Sequence, residues 1–168
     1  KYLPEDRVPE PQVTDEGHGK AQVTLLPGNY KGLTSQLYQN DGAGRFTDRA
    51  PAMGVTNPDG QALNALAADL DLDGWPDLYV ANDSRSKSVL YRKLGGGKFV
   101  DVSAGSYTDE ARGSIDFALG DVDLDGVPDM LVTHWLNPTG LYRGVPPGSS
   151  PRSRRLRFVD RALHHGLL

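Results

Sequence analysis

Eight aspartates in this chain stand in two short stretches whose spacing suits metal binding. They are Asp69, Asp71, Asp73 and Asp77 in "DLDLDGWPD", and Asp121, Asp123, Asp125 and Asp129 in "DVDLDGVPD", 52 residues further on. Acids at loop positions 1, 3, 5 and 9 bring four carboxylates toward one point, where like charges disfavour joint ionisation. A hard cation with oxygen ligands removes that repulsion, and calcium accepts about six to eight oxygens in flexible geometry. Gly74 and Gly126 permit a sharp backbone turn at position 6, so that the carbonyls of Trp75 and Val127 at position 7 would point inward. Pro76 and Pro128 stiffen the exit before the last acid. An EF-hand would need a bidentate Glu at position 12. That place is held by Val80 and Val132, inside apolar strand-like runs, so helices do not flank these loops.

The elements that must position the loops are read from internal repeats. "SQLYQNDGAGRFTD" is echoed by "SVLYRKLGGGKFVD" and again by "TGLYRG" with "LRFVD", placing Tyr38, Tyr91 and Tyr142 at intervals of 53 and 51 residues. From Tyr38 to Phe46 and from Tyr91 to Phe99 is 8 residues, whereas from Tyr142 to Phe158 is 16. The extra length falls in "VPPGSSPRSRR", a Pro/Ser/Arg insert of the kind that turns tolerate. "LNALAA" leads into the first acidic loop and "DLYVAN" leaves it; "SVLYRK" and "KFVDVS" flank Gly95-Gly96-Gly97. "IDFALG", "DMLVTH", "GLYRG" and "RFVDR" follow in the same order around the second loop. Four short strands per unit of about 50 residues is the build of an antiparallel propeller blade.

The chain therefore reads as all-β, with tandem four-stranded antiparallel propeller-type blades, about three in number and the first incomplete. Residues 1–20, with Pro4, Pro9 and Pro11, form an extended arm. Residues 21–60 form a degenerate first blade without a metal loop, 61–112 a second blade with one, and 113–168 a third with a loop and the Arg-rich insert. Complete propellers have about four to eight blades, so this is a partial or open propeller.

Composition agrees. Gly and Pro together supply 32 of 168 residues, an excess that favours turn-rich β structure over helix. The net charge of −4 is local, because the two loops hold eight of the 22 acidic residues. No apolar run reaches the ~18 residues of a membrane span. The absence of cysteine excludes disulfides and thiol chemistry.

"DLDLDGWPDLYVAND" and "GDVDLDGVPDMLV" resemble the FG-GAP/VCBS repeats of integrin α-subunit heads and many bacterial surface proteins. "LYQNDGAGRFTDRAPAMGV" is most similar to the bacterial branch that carries the ASPIC/UnbV domain. The resemblance covers roughly residues 21–168. It implies blades of a seven-bladed propeller, with calcium in the loop joining the first two strands of a blade. Carried over by position, the ligands are Asp69, Asp71, Asp73, the Trp75 carbonyl and Asp77. In the third unit they are Asp121, Asp123, Asp125, the Val127 carbonyl and Asp129. Two structural calcium sites follow, and no base or nucleophile accompanies either loop.

Other residues carry weaker signals. His134-Trp135 reads as a strand-end packing pair before a ligand surface, and His164 and His165 as exposed residues. Arg152, Arg154, Arg155, Arg157 and Arg161 lie close together and read as a solvated loop before a basic patch for acidic glycans, nucleic acid or an acidic neighbour. Asn82-Asp83-Ser84 matches a glycosylation acceptor, a tripeptide common by chance. The expected function is that of a secreted, non-catalytic binding or adhesion module at the cell surface, engaging a protein or glycan and no nucleic acid. The alternative is a structural protomer that assembles into an oligomer or filament through open strand edges. A propeller-type polysaccharide lyase is a weaker third reading.

Overall fold

The computed structural model describes residues 31–83, 86–106, 108, 111–135 and 137–145, with the strand backbone at 13–14, 22–23 and 158–160. A two-stranded pair joins β1 (Val13–Thr14) to β2 (Gln22–Val23), and a short hairpin joins β3 (Tyr38–Asn40) to β4 (Phe46–Asp48). One turn of helix, α1 (Ala50–Met53), follows. Next comes a four-stranded sheet of β5 (Ala62–Ala68), β6 (Asp77–Asn82), β7 (Val89–Leu94) and β8 (Lys98–Asp101). A second four-stranded sheet holds β9 (Ser114–Gly120), β10 (Asp129–His134), β11 (Gly140–Gly144) and β12 (Phe158–Asp160).

Each four-stranded sheet is an antiparallel meander in chain order, the simplest path for strands joined by short turns. The two are copies in register. Leu66 lies opposite Tyr79, and Ala118 opposite Leu131. Both first strands also bulge at the same repeat position. The pairing skips Leu63 between Ala62 and Asn64, and Ile115 between Ser114 and Asp116. A bulge adds local twist and re-aims the strand, and here it turns Asn64 so that its Nδ2 donates to Asp116 Oδ1 at 3.1 Å, across the two sheets. Asn64 and Asp116 hold equivalent places in their repeats, so this bond joins the first strands of the two sheets.

The core follows from the period-2 alternation of β6 and β7. Tyr79, Ala81 and Leu90 point one way and pack with Met130, Val132 and Tyr142 of the following sheet. Val80 and Tyr91 point the other way, joined by Leu78 and Val89, and pack with Ala50, Val55, Leu37 and Met53 of the first unit. The middle sheet is thus covered on both faces. Met130 and Val132 are the repeat equivalents of Leu78 and Val80, so one face of each unit seats on the opposite face of its predecessor. The all-β repeat architecture expected from the sequence is present, and every quoted strand segment of the second and third units holds a strand.

Three features were not read from the sequence. Helix α1 was not anticipated; it needs no amphipathic run, because Pro51 starts its single turn and Gly54, at φ 81°, ends it. The segment taken as an extended arm contains β1, paired with β2 through Val13 opposite Val23. Trp135 is 56% exposed, and His134 Nδ1 lies 2.8 Å from the Pro138 carbonyl. The remainder of the arm, residues 146–155 of the insert with Arg152, Arg154 and Arg155, and Arg157, Arg161, His164 and His165 lie outside the described residues.

Candidate metal sites

The acidic loops join β5 to β6 and β9 to β10. In each, the first acid gathers the turn onto itself. Asp69 Oδ1 accepts the Asp73 N–H at 3.1 Å and its Oδ2 the Gly74 N–H at 2.9 Å. Asp121 does the same for Asp125 and Gly126, at 3.1 and 2.8 Å. Gly74 and Gly126 sit at φ 88° and 86°, in the left-handed region. A Cβ at either would touch nothing within 4 Å, so backbone angle and not space requires glycine there.

The last acid fastens the loop to the sheet. Asp77 and Asp129 are the first residues of β6 and β10 and are 0% and 2% exposed. Asp77 accepts from the Leu70 N–H at 3.2 Å and the Lys93 N–H at 2.8 Å. Asp129 accepts from the Val122 N–H at 2.9 Å and the Gly144 N–H at 2.9 Å. Each carboxylate thereby ties its own loop to the third strand of its sheet. Burial is the main reason that the Asp77 carboxyl is pushed up to about 6; the Lys93 N–H opposes the shift and the Asp71 charge adds to it.

These contacts bring some of the expected ligands together and leave others aside. One carboxylate oxygen from each of Asp69, Asp71 and Asp77 lies within 4.8 Å of the others, and Asp121, Asp123 and Asp129 form the same triplet. Asp71 Oδ1 is buried with no hydrogen-bond partner. Burial raises the Asp71 pKa against the pull of Arg92, with the Asp73 charge adding to the rise. A buried oxygen without a donor, beside two further carboxylates, fits a hard divalent cation. Asp73 and Asp125 stand outside the triplets. Asp73 Oδ1 accepts the Trp75 N–H at 3.0 Å, and Asp125 Oδ1 the Val127 N–H at 2.9 Å. The Trp75 ring is half exposed, with Lys93 Nζ 5.0 Å from its centroid.

One arginine stands beside each site, and neither was assigned from the sequence. Arg92 Nε is 2.5 Å from Asp71 Oδ2, and its Nη2 is 3.2 Å from Asp73 Oδ2. Arg143 Nη2 pairs with Asp123 Oδ2 and lies 3.6 Å from Asp125 Oδ2. The signal was visible, since both belong to the repeated "LYR" of β7 and β11. Only the register of those strands beside the loops shows where the side chains reach. Asn82 is equally informative. Its amide is buried and donates to Lys87 O at 2.6 Å, which leaves no accessible nitrogen for a glycan.

Comparison with known families shows that a model described as FG-GAP-like repeat matches residues 17–80 and again 69–132. The two matches are offset by the 52 residues that separate the acidic loops. Comparison with curated proteins found no significant match.

Proposed function

The chain belongs to the FG-GAP-like repeat family, and from that premise we propose that it is a calcium-stabilised binding module of propeller-type blades. Members of that family are non-catalytic repeat modules, and the chain is one of them. The observation that carries the calcium reading is the duplicated triplet of carboxylates, with Asp71 Oδ1 buried and undonated in its midst. Asp69, Asp71 and Asp77 would hold one ion, and Asp121, Asp123 and Asp129 the other. Asp73, Asp125 and the carbonyls of Trp75 and Val127 are the further oxygens each loop offers. An all-oxygen donor set favours calcium over the softer metals that seek nitrogen or sulfur.

In this reading the cation is a fastener. It offsets carboxylate repulsion and fixes the turn between the first two strands of a blade, leaving the exposed face of the module for a protein or glycan partner. If their affinity lies in the weak range typical of extracellular modules, the sites would fill only outside cells, which accords with a secreted, surface-located protein. The likeness of "LYQNDGAGRFTDRAPAMGV" to the bacterial ASPIC/UnbV branch supports the same placement.

Calorimetric titration of the chain with calcium is expected to show two equivalents. Asp77→Asn and Asp129→Asn should each remove one. Titration without binding, or with two equivalents retained in both variants, contradicts the assignment. A second reading, a protomer that assembles with copies of itself, draws on the head-to-tail seating of the units, because such contacts propagate unless they close. Size in solution with and without residues 1–20 separates the two. A monomer whose size per residue is unaffected by the deletion argues against assembly through the arm.

A further inference from the structure

Arg92 and Arg143 stand at the same repeat position, on the third strand of each sheet, and each spans the third and fifth positions of its acidic loop. We infer that they are built-in counter-cations, which hold each loop closed when it is ion-free and weaken its hold on a divalent ion. The inference rests on the cation reading above and concerns what sets the affinity of those sites.

Three observations carry it. The guanidinium of Arg92 takes the Oδ2 atoms of both Asp71 and Asp73, so it neutralises charge that the turn alone leaves crowded. Asp73 has its other oxygen on the Trp75 N–H, so both its oxygens are already engaged and it stands outside the triplet. The arrangement recurs at Arg143, with Asp123, Asp125 and the Val127 N–H, which makes it a property of the repeat and not an accident of one loop.

The sign follows from electrostatics. An arginine is attracted more strongly to an ion-free loop of four carboxylates than to the same loop carrying two added positive charges. It therefore stabilises the ion-free form more than the loaded form. By linkage the ion is bound less tightly in its presence. A unit charge about 6 Å from a divalent ion weakens binding roughly tenfold in a water-like dielectric, and somewhat less in salt. A role confined to orienting Asp71 would have the opposite sign, since losing it would loosen the ligand and weaken binding.

The test is calorimetric calcium titration of the full chain and of Arg92→Gln, Arg143→Gln, Arg92→Lys and Arg143→Lys, with melting curves in chelator. Each Gln variant is expected to tighten one of the two sites by about three- to tenfold while the other stays unchanged as an internal control. Each Lys variant, which keeps the charge, should stay near the wild-type affinity. In chelator the Gln variants should melt lower than wild type, and calcium should close most of that gap. Equal or weaker calcium binding by both Gln variants overturns the inference. Wild-type protein that binds no calcium contradicts the cation reading itself and is thereby told apart from that result. If Arg92→Gln fails to fold, Arg143→Gln in the other sheet decides.

Discussion

Asp77 concentrates the chemistry of its loop, being fully buried, bonded to both the loop and β7, and beside two other carboxylates. Its pKa, raised from 3.8 to about 6, means that the fold favours the protonated form. The stability it contributes is present below the unfolded value and is lost as pH rises through about 6. In chelator, the melting temperature should therefore carry a component that falls from about pH 4 to pH 6, and Asp77→Asn should remove it. Calcium, which favours the ionised form, should abolish that slope; an identical pH profile in Asp77→Asn contradicts the account. Leu72 and Leu124 both sit at φ 59°, a region costly for a branched side chain, and Leu124 is 87% exposed. Leu124→Asn should raise stability by about 0.5–1 kcal/mol in a denaturant melt. The aspartates were legible in the sequence, because their types and spacing are the chemistry. The arginines were not, because their role depends on which strand lies beside the loop, and composition does not carry that.

At the scale of elements, stability rests on the alternation of β6 and β7, which sends Tyr79 and Leu90 toward one neighbour and Val80 and Tyr91 toward the other. Leu90 is 0% exposed between two sheets, so Leu90→Ala should cost about 2–5 kcal/mol in equilibrium unfolding, against near-neutral change for the exposed Val100. A loss below about 1 kcal/mol would mean that the two sheets do not share a core. The strands of the second and third units were legible because β-branched and aromatic residues alternate there between Gly- and Asp-rich turns. Helix α1 was not, since four residues with one proline carry no helical period. The bulges at Leu63 and Ile115 were also hidden. Their residue types suit a strand, and only the pairing register shows that they are skipped.

For the whole molecule, the units seat head to tail, and the middle sheet is the one buried on both faces among the described residues. Repetition of one contact with a fixed rotation closes into a ring or continues as an array. In the proposed reading, ions at equivalent loops act in parallel, each tightening one unit, so their effects on stability should add. The most direct test of this account is the thermal melt of the full chain in chelator and in millimolar calcium. The account expects calcium to raise stability by on the order of 1 kcal/mol per site at near-saturating concentration, with half of the gain lost in Asp129→Asn. Coincident melting curves in the two conditions would contradict it.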